Sequence, residues 1–305
     1  MTASPLAPPT PASGWTKSPL CATSTAPSTP TPPPTPCSAK WRESRHDPVI
    51  ELHDVSVVHR SRTGTLFRPN LVHSNRNIDF HLHRGEVVGV VGESGCGKST
   101  LARVVVGLQK PTSGEVFFRG QPMTGRGKQR TELGKAISVV FQDPSTSLNP
   151  RMTVRDQLLE PLAVHHVGRG PEREKRVRDL IGLVGLPQSA LEVLPRQISG
   201  GQRQRVAIAR TLALAPDIII ADEPTSALDV SVRAQVLNLL LDLKKELGLG
   251  LMFISHDINT VRYVSDRICV MLAGEIIEEK PTEELFTNAS HDYTRTLLAA
   301  TPSLL

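Results

Sequence analysis

Apolar residues occur in short runs along the chain, and two of these runs are apolar at every position. They are "VVGVV" at 87–91 and "IIIA" at 218–221. A strand that is apolar on both faces is typical of the interior of a parallel sheet, because helices cover such a sheet on both sides. The first run leads into a glycine-rich loop and the second into acidic residues. We therefore predict two central strands with functional groups at their carboxyl ends.

The rest of the pattern alternates strand-like and helix-like segments. Strands are predicted at 49–58, 78–92, 115–120, 136–142, 217–223, 249–257 and 267–279, and helices at 99–107, 154–214 and 230–248. This alternation indicates an α/β fold with a mainly parallel sheet. The long helical stretch is expected to break at 168–170 and at Pro195. It lies between two strands, so we predict an inserted helical subdomain at about 150–215.

The first 47 residues have a different composition. They hold 11 of the chain's 25 prolines, with "PSTPTPPPTP" at the centre. Such a segment has too little apolar surface to offset the entropy of ordering, so we predict a disordered tail at 1–47. Two interpretations stay open: a tail that binds a proline-reading module, or upstream sequence translated from a wrongly placed start.

Charge and cysteine content narrow the class of protein. The formal net charge is +5, and many arginines are spread over predicted helices, which favours a solvated surface over a nucleic-acid interface. The four cysteines, at 21, 37, 96 and 269, lack metal-binding spacing and fit a reducing cytosol. No apolar run is long enough to span a bilayer, and no signal peptide is predicted.

The loop after the first apolar strand predicts a phosphate site. "GESGCGKS" fits G-x-x-x-x-G-K-[ST], follows a predicted strand and opens a helix. Its glycines let backbone N–H groups face phosphate oxygens, while Lys98 reaches the β- and γ-phosphates and Ser99 offers a hydroxyl to Mg²⁺. The predicted nucleotide contacts are Gly92, Glu93, Ser94, Gly95, Cys96, Gly97, Lys98, Ser99 and Thr100.

Acidic residues follow the second apolar strand. Asp222 is expected at the carboxyl edge of the sheet, where ligands bind, and can hold Mg²⁺. Glu223 comes next, and Pro224 indicates that the chain turns there. Glu223 would then deprotonate a water in line with the γ-phosphate. Without the glycine loop, the same residues could equally form an ordinary acidic loop.

Three further positions are candidates for the site. Gln142 and His256 are expected at strand ends, where each taken alone more often satisfies a local hydrogen bond. "ISGGQRQR" predicts a second helix start with exposed N–H groups at Ser199. The chain thus holds two phosphate-binding helix starts, which one nucleotide would not need.

The series "GESGCGKST", "FQDP", "ISGGQRQR", "IIIADEPTSALD" and "FISHD" resembles the motifs of ABC ATPases in sequence and order. The resemblance covers about residues 48 to 303 and implies a P-loop NTPase with a RecA-like core, an antiparallel β subdomain and a helical insert. It implies an ABC ATPase domain at 48–280. The cofactors it implies are ATP and Mg²⁺.

The resemblance also implies a role for each motif residue. Gln142 is similar to the glutamine that touches the metal or the attacking water, and His256 to the histidine at the γ-phosphate. Two ATPase domains would face each other head to tail, so that each ATP lies between one glycine loop and the partner's "SGGQ". This implies that Ser199, Gly200, Gly201 and Gln202 bind the partner's nucleotide and that Asp229 crosses the interface.

Two stretches extend the resemblance to one branch of the family. "QDPSTSLNPRMTVRDQLLEPL" and "HDYTRTLLAATPSL" are similar to segments of oligopeptide, dipeptide, nickel and glutathione importers, and "SLNPR" to the second ATPase of such systems. This implies a C-terminal extension at 281–305, a second ATPase chain or copy, two permease subunits on the membrane and, indirectly, a solute-binding protein. The alternatives are a soluble ABC ATPase of DNA repair or translation and a pseudo-ATPase.

The chain departs from the family pattern at four positions, and the mildest change is Ile198, where leucine or phenylalanine is commoner. Asp292 replaces a proline in the C-terminal segment. His59 stands where an aromatic residue normally stacks on adenine, and imidazole is a smaller ring for that purpose. Asn75 replaces an apolar residue in "LVHSNRNIDF", which is expected to loosen the antiparallel sheet.

Overall fold

Two sheets and a helical block make up the part of the chain that the computed structural model describes, residues 47–60, 71–142 and 147–300. The strands are β1 (Ile50–Arg60), β2 (Leu71–Leu82), β3 (Val87–Val91), β4 (Ser113–Phe118), β5 (Gln121–Pro122), β6 (Ile137–Val140), β7 (Ile218–Asp222), β8 (Gly250–Ile254), β9 (Arg267–Leu272) and β10 (Glu275–Pro281). All described residues fall within one compact unit. The predicted tail at 1–47 lies outside the described residues, apart from Asp47.

The central sheet has the strand order β10-β9-β3-β8-β7-β6. Neighbours from β9 to β6 run parallel, and only the β9–β10 pair is antiparallel. Strands β3 and β8 are buried at every position, as the apolar run at 87–91 predicts. Because the five strands β9, β3, β8, β7 and β6 run in the same direction, the loops that follow β3, β6, β7 and β8 meet at one edge.

The second sheet is antiparallel, in the order β2-β1-β4-β5. The predicted single strand at 78–92 is wrong, because a turn at 83–86 separates β2 from β3 and places them in different sheets. β2 also begins earlier than predicted, at Leu71. Asn75 pairs with Val57 and is buried, and the β1–β2 register shifts on both sides of this pair. The sheet thus stays paired through Asn75, with an irregular ladder around it.

The described α-helices are α1 (Lys98–Val105), α2 (Gly127–Ala136), α3 (Val154–Val164), α4 (Gly170–Leu183), α5 (Gly200–Thr211), α6 (Val230–Leu247), α7 (Ile258–Val264), α8 (Thr282–Thr287) and α9 (Asp292–Ala299). No helix among them is long and apolar enough to cross a membrane. The sequence pattern does not predict α2, because only two of its ten residues, Leu133 and Ala136, are buried.

The helical block between β6 and β7 is more broken than predicted. Besides the expected interruptions at 168–170 and Pro195, the chain leaves the helix after Leu183 and passes through short 3₁₀ turns at Gln188–Glu192 and Pro195–Gln197. Helices α3, α4 and α5 contribute buried apolar residues to the same core as one face of the central sheet. The opposite face of the sheet packs with β1, β2, β4 and α1 in a second core.

One buried carboxylate holds the segment that leads into α9. Glu278, on β10, accepts hydrogen bonds from the Ser290 N–H at 2.7 Å and the His291 N–H at 3.1 Å, and Lys280 Nζ lies 2.9 Å away. Burial acts to raise the pKa of Glu278, but the bonds from Ser290, Lys280 and His291 outweigh burial and hold that pKa at about 2. The charge of Glu278 therefore fixes the start of α9.

Asp292, which replaces a proline, does not prevent α9 from forming. It is the first residue of the helix, and it pairs with Arg295 one turn later. A carboxylate is favourable at a helix N-terminus, where proline is also tolerated. The two residues thus suit the same position for different physical reasons.

Replacing Glu278 with glutamine is expected to lower the free energy of unfolding at pH 7 by about 2–3 kcal/mol. The folded pKa is depressed, so this stability is present above the ordinary carboxyl pKa and is lost as the pH falls towards 2. The difference between wild type and variant should shrink to about half by pH 3. Chemical unfolding of both proteins at several pH values measures this difference in the free energy of unfolding.

The matched control is Glu283→Gln. Glu283 is exposed and pairs with Arg262 at 3.0 Å, so its loss should cost less than about 1 kcal/mol at every pH. An equal effect of Glu278→Gln at pH 7 and pH 3 would contradict a role for its charge.

Candidate active site

The glycine loop lies between β3 and α1, as predicted. At two tightly packed positions its backbone adopts a conformation that favours glycine. Gly92 has φ 152° and Gly97 has φ 112°. A Cβ atom at Gly92 would lie 2.2 Å from the Met271 carbonyl oxygen, and one at Gly97 would lie 2.2 Å from the Ser74 carbonyl oxygen. The loop is thus wedged between β9 and β2, and its curvature is set by backbone on both sides.

Lys98 lies inside this loop and is nearly buried. Its ammonium donates hydrogen bonds to the carbonyl oxygens of Gly92 at 2.7 Å and Glu93 at 2.8 Å, and Cys96 Sγ is 3.8 Å away. Sulfur is a weak acceptor, so the third N–H of the ammonium has a poor partner. Two carbonyls therefore hold the positive charge in place while one donor is available for a phosphate oxygen.

Ser99 and Asp222 meet at the end of β7. Burial raises the pKa of Asp222, the hydrogen bond from Ser99 lowers it, and the neighbouring charge of Glu223 raises it further. A hydroxyl and a carboxylate are the oxygen ligands that Mg²⁺ prefers. The predicted metal residues Ser99 and Asp222 therefore lie together and have suitable chemistry.

No group of three or more His, Cys, Asp and Glu residues within 47–60, 71–142 and 147–300 could hold a metal by itself. Mg²⁺ commonly needs only one or two carboxylates, because substrate phosphates and water complete its shell. The donor set therefore fits a magnesium ion that arrives with a nucleotide.

Glu223 contacts the two other residues predicted to be catalytic, Gln142 and His256. Its Oε2 accepts a hydrogen bond from Gln142 Nε2 at 3.2 Å, and its Oε1 lies 3.1 Å from His256 Nδ1. Glu223 has φ 48°, so the chain turns after the strand, as the sequence predicts. Gln142 lies two residues beyond the end of β6, which corrects the prediction of a strand through 142.

The "SGGQ" segment begins α5, as predicted. Ser199 Oγ accepts a hydrogen bond from the Gln202 N–H at 3.3 Å, and the Ser199 N–H donates to Gln202 Oε1 at 3.0 Å. This reciprocal pair is a capping box. Between described residues, no hydrogen bond joins Ser199, Gly200, Gly201 or Gln202 to the glycine loop.

Asp229 caps the next helix, and its position is linked to the "SGGQ" segment. It accepts hydrogen bonds from the Val232 N–H at 2.9 Å and the Ser231 hydroxyl at 3.0 Å, which lower its pKa. A Cβ atom at Gly201 would lie 2.4 Å from Val232 Cγ1. The starts of α5 and α6 therefore pack closely, which places Ser199 and Asp229 on neighbouring helix ends.

His59 is on β1, near its end, and is half-buried. Two residues earlier, Val57 pairs with Asn75, whose Nδ2 donates to the Gly97 carbonyl at 3.3 Å. The strand that carries His59 thus runs past the glycine loop. Phe67 is an aromatic residue near His59 in the sequence, and it lies outside the described residues.

Two contacts of the glycine loop were not predicted. One is Asn75 with Gly97, and the other joins the Glu93 N–H to the Tyr293 hydroxyl at 3.2 Å. Tyr293 belongs to the stretch "HDYTRTLL", which the sequence singles out as a family segment but to which it gives no role. The two partners are 200 residues apart, so local sequence carries no signal for their contact.

Comparison with known proteins decides the family. The sequence profile described as "ABC transporter" matches residues 75–226. The chain is 44% identical over 258 residues to the dipeptide transport ATP-binding protein DppF of Haemophilus influenzae, covering 84% of this chain and 79% of the relative. It is 48% identical over 229 residues to the oligopeptide transport ATP-binding protein OppF of Bacillus subtilis, covering 74% and 75%.

The chain belongs to the ABC transporter family, in the branch of the oligopeptide and dipeptide ATP-binding subunits. It is accordingly an ATPase. Its fold matches the solved dimer of the ATP-binding cassette MJ0796 bound to ADP and Pi, with a TM-score of 0.67 and 32% identity over 76% of this chain and 98% of that one. The alternatives in DNA repair and translation are not favoured, because these relatives are transport proteins.

In this ABC ATPase, His59→Tyr is expected to tighten ATP binding about 3- to 10-fold without raising the turnover rate at saturation. An aromatic ring stacked on a base contributes about 1–3 kcal/mol, and imidazole offers a smaller face. The hydrolysis rate should not change, because the phosphate contacts do not include the base. Nucleotide titration with Mg²⁺ measures the affinity.

His53→Tyr is the matched control, since His53 is on the same strand and its ring contacts Phe117 instead. It should leave ATP affinity unchanged. Equal affinity of His59→Tyr and wild type would show that another residue contacts the adenine.

Proposed function

We propose that this chain is the ATP-hydrolysing subunit of an importer for peptides or a related small solute. The observation that carries the proposal is Glu223, which is held between Gln142 and His256 beside the glycine loop. The names of the relatives, which are dipeptide and oligopeptide transport ATP-binding proteins, support the solute class.

The glycine loop binds the nucleotide. The Lys98 ammonium and backbone N–H groups of the loop at 92–100 bind the phosphates, apart from the Glu93 N–H, which donates to Tyr293. Lys98 neutralises charge at the β- and γ-phosphates. Ser99 and Asp222, with Gln142, would hold Mg²⁺, which would supply positive charge to offset that of the phosphate oxygens.

Hydrolysis uses Glu223 as the general base. A water attacks the γ-phosphorus, its proton moves to the Glu223 carboxylate, and the bond to the β-phosphate oxygen breaks to leave ADP and phosphate. Gln142 and His256 hold the carboxylate from opposite oxygens, which limits its rotation. His256 is mostly exposed, so it can also reach a phosphate oxygen.

The complete site needs a second ATPase domain. Ser199, Gly200, Gly201 and Gln202 form a helix start whose N–H groups can bind a phosphate, yet they make no hydrogen bond to the glycine loop in the described part of this chain. In a head-to-tail pair, each "SGGQ" segment faces the partner's ATP and Asp229 lies at the interface. The dimeric cassette MJ0796 supports such a pairing.

The assembly that follows from this proposal lies on the cytoplasmic face of the membrane. Two permease subunits bind the ATPase pair, whose second member is another copy or a related chain, and a solute-binding protein delivers the cargo. The ATPase domain spans 48–280 with its helical insert at about 150–215, and the extension typical of peptide importers spans 281–305. ATP closes the pair and hydrolysis opens it, which is a ligand-driven shift between two states.

Glu223→Gln is expected to keep ATP binding and to lower turnover at least about 100-fold in the assembled transporter, because the base is lost while the loop and metal residues remain. Lys98→Ala should instead weaken nucleotide binding itself. Glu246→Gln, an exposed change on α6, is the control. Turnover of Glu223→Gln close to that of wild type would refute the base assignment.

Ser199→Arg in one member of the pair is expected to disable the nucleotide held by the other member's Lys98. The bulky cation would fill the space that the partner's γ-phosphate needs. Labelling with a photoreactive ATP, in a pair that has one mutant chain, shows which of the two sites no longer binds the nucleotide.

The control is Ser189→Arg, an exposed change in a 3₁₀ turn of the same chain. It should leave both sites labelled. Loss of labelling at the mutant chain's own Lys98 would show that the two loops do not act across the interface.

A further inference from the structure

One hydrogen bond joins the C-terminal segment to the phosphate-binding loop. The Tyr293 hydroxyl, on α9, accepts from the Glu93 N–H at 3.2 Å. The Tyr293 ring is half-buried and packs on the core that α3, α4, α5 and the central sheet share. Burial raises the pKa of the Tyr293 phenol, so it is a neutral hydroxyl at physiological pH.

The peptide group that Tyr293 contacts also holds Lys98, the lysine of the glycine loop. The Glu93 N–H and the Gly92 carbonyl belong to the same peptide unit, and this carbonyl accepts from Lys98 Nζ at 2.7 Å. No described peptide bond is cis, so the N–H and C=O of this unit point in opposite directions. Tyr293 is therefore on one side of a planar group and the Lys98 ammonium on the other.

This arrangement couples the two contacts. A rotation of the peptide plane would break both hydrogen bonds together, and each bond polarises the group and strengthens the other. The close approach of the Met271 carbonyl fixes the position of Gly92, but Gly92 has no side chain to orient the peptide plane that follows it. The Tyr293 hydroxyl adds a directional contact that keeps the Gly92 carbonyl directed at Lys98.

Tyr293 is itself held at a defined position. Its N–H donates to His291 Nδ1 at 3.1 Å, and the residues just before α9 are fixed by Glu278. Glu278 is on β10, which pairs with β9, and β9 pairs with β3, the strand that enters the glycine loop. The extension is thus anchored to the same sheet as the loop it contacts.

We propose that Tyr293 is a positioning residue for nucleotide binding: through the Gly92–Glu93 peptide group, it holds the Lys98 ammonium ready for the phosphates. The inference rests on the proposed role of Lys98. It gives the C-terminal extension a function within the ATPase site of its own chain, in addition to any contact with other subunits.

The test compares Tyr293→Phe with Tyr263→Phe in the full chain. Each change removes one hydroxyl, and Tyr263 donates to Asn238 at 2.7 Å away from the loop. Titration with ATP and ADP in the presence of Mg²⁺ should show affinity that is weaker about 2- to 12-fold for Tyr293→Phe and unchanged for Tyr263→Phe, the range expected for one hydrogen bond. In the assembled transporter, KM for ATP should rise by a similar factor while kcat stays the same.

Amide hydrogen exchange gives a readout that does not need nucleotide. The Glu93 N–H should exchange faster in Tyr293→Phe than in wild type, with the melting temperature close to that of Tyr263→Phe. If Lys98→Ala weakens binding but Tyr293→Phe binds like wild type, the inference is wrong and the role of Lys98 stands. If Lys98→Ala also binds like wild type, the role of Lys98 and the inference both fail.

Discussion

The structure depends on the close contact of three stretches of backbone at the glycine loop. Gly92 lies against the carbonyl of Met271 and Gly97 against that of Ser74, each at a distance that leaves no room for a Cβ atom. Met271 is in the central sheet and Ser74 in the antiparallel one. The loop therefore links the two sheets, and its curvature depends on both. Side chains in the loop could be exchanged more easily than these two glycines.

Charged groups of both signs lie in the site that we propose for the nucleotide. The Lys98 ammonium is held by two carbonyl dipoles, and the Asp222 carboxyl is partly desolvated beside the charge of Glu223. The phosphates of a nucleotide carry the negative charge that Lys98 can bind, and the metal carries the positive charge that Asp222 can bind. The groups that we propose as ligands therefore offer a positive charge to phosphate and a carboxylate to magnesium.

The second phosphate site that we propose, at the start of α5, is held by contacts within its own chain. Ser199 and Gln202 cap α5 reciprocally, and Asp229 caps α6, so these polar groups have partners within the chain. The segments that we assign to the interface can therefore remain folded whether or not a second domain is present. Such behaviour suits the pair that we propose, which closes and opens during each cycle.

The sequence by itself determined the fold class, the family and most of the candidate site. The apolar runs at 87–91 and 218–221 identify central strands, because a strand buried on both faces requires an apolar residue at every position. The glycine loop is a local motif, and its place between a strand and a helix supports its interpretation. The meeting of Gln142, Glu223 and His256 also follows from sequence, once parallel strands are known to end at one edge of a sheet.

Only the tertiary structure decided the contacts between distant segments. Helix α2 has almost no apolar face, so the local pattern does not predict it. The local pattern also joins β2 and β3 into one strand, although they belong to different sheets. The contact of Tyr293 with Glu93 spans 200 residues. Hydrophobic periodicity reports which face of an element is buried, but not which element covers it. That choice is made by packing and by hydrogen bonds to particular backbone groups, which depend on the position of every neighbouring element at once.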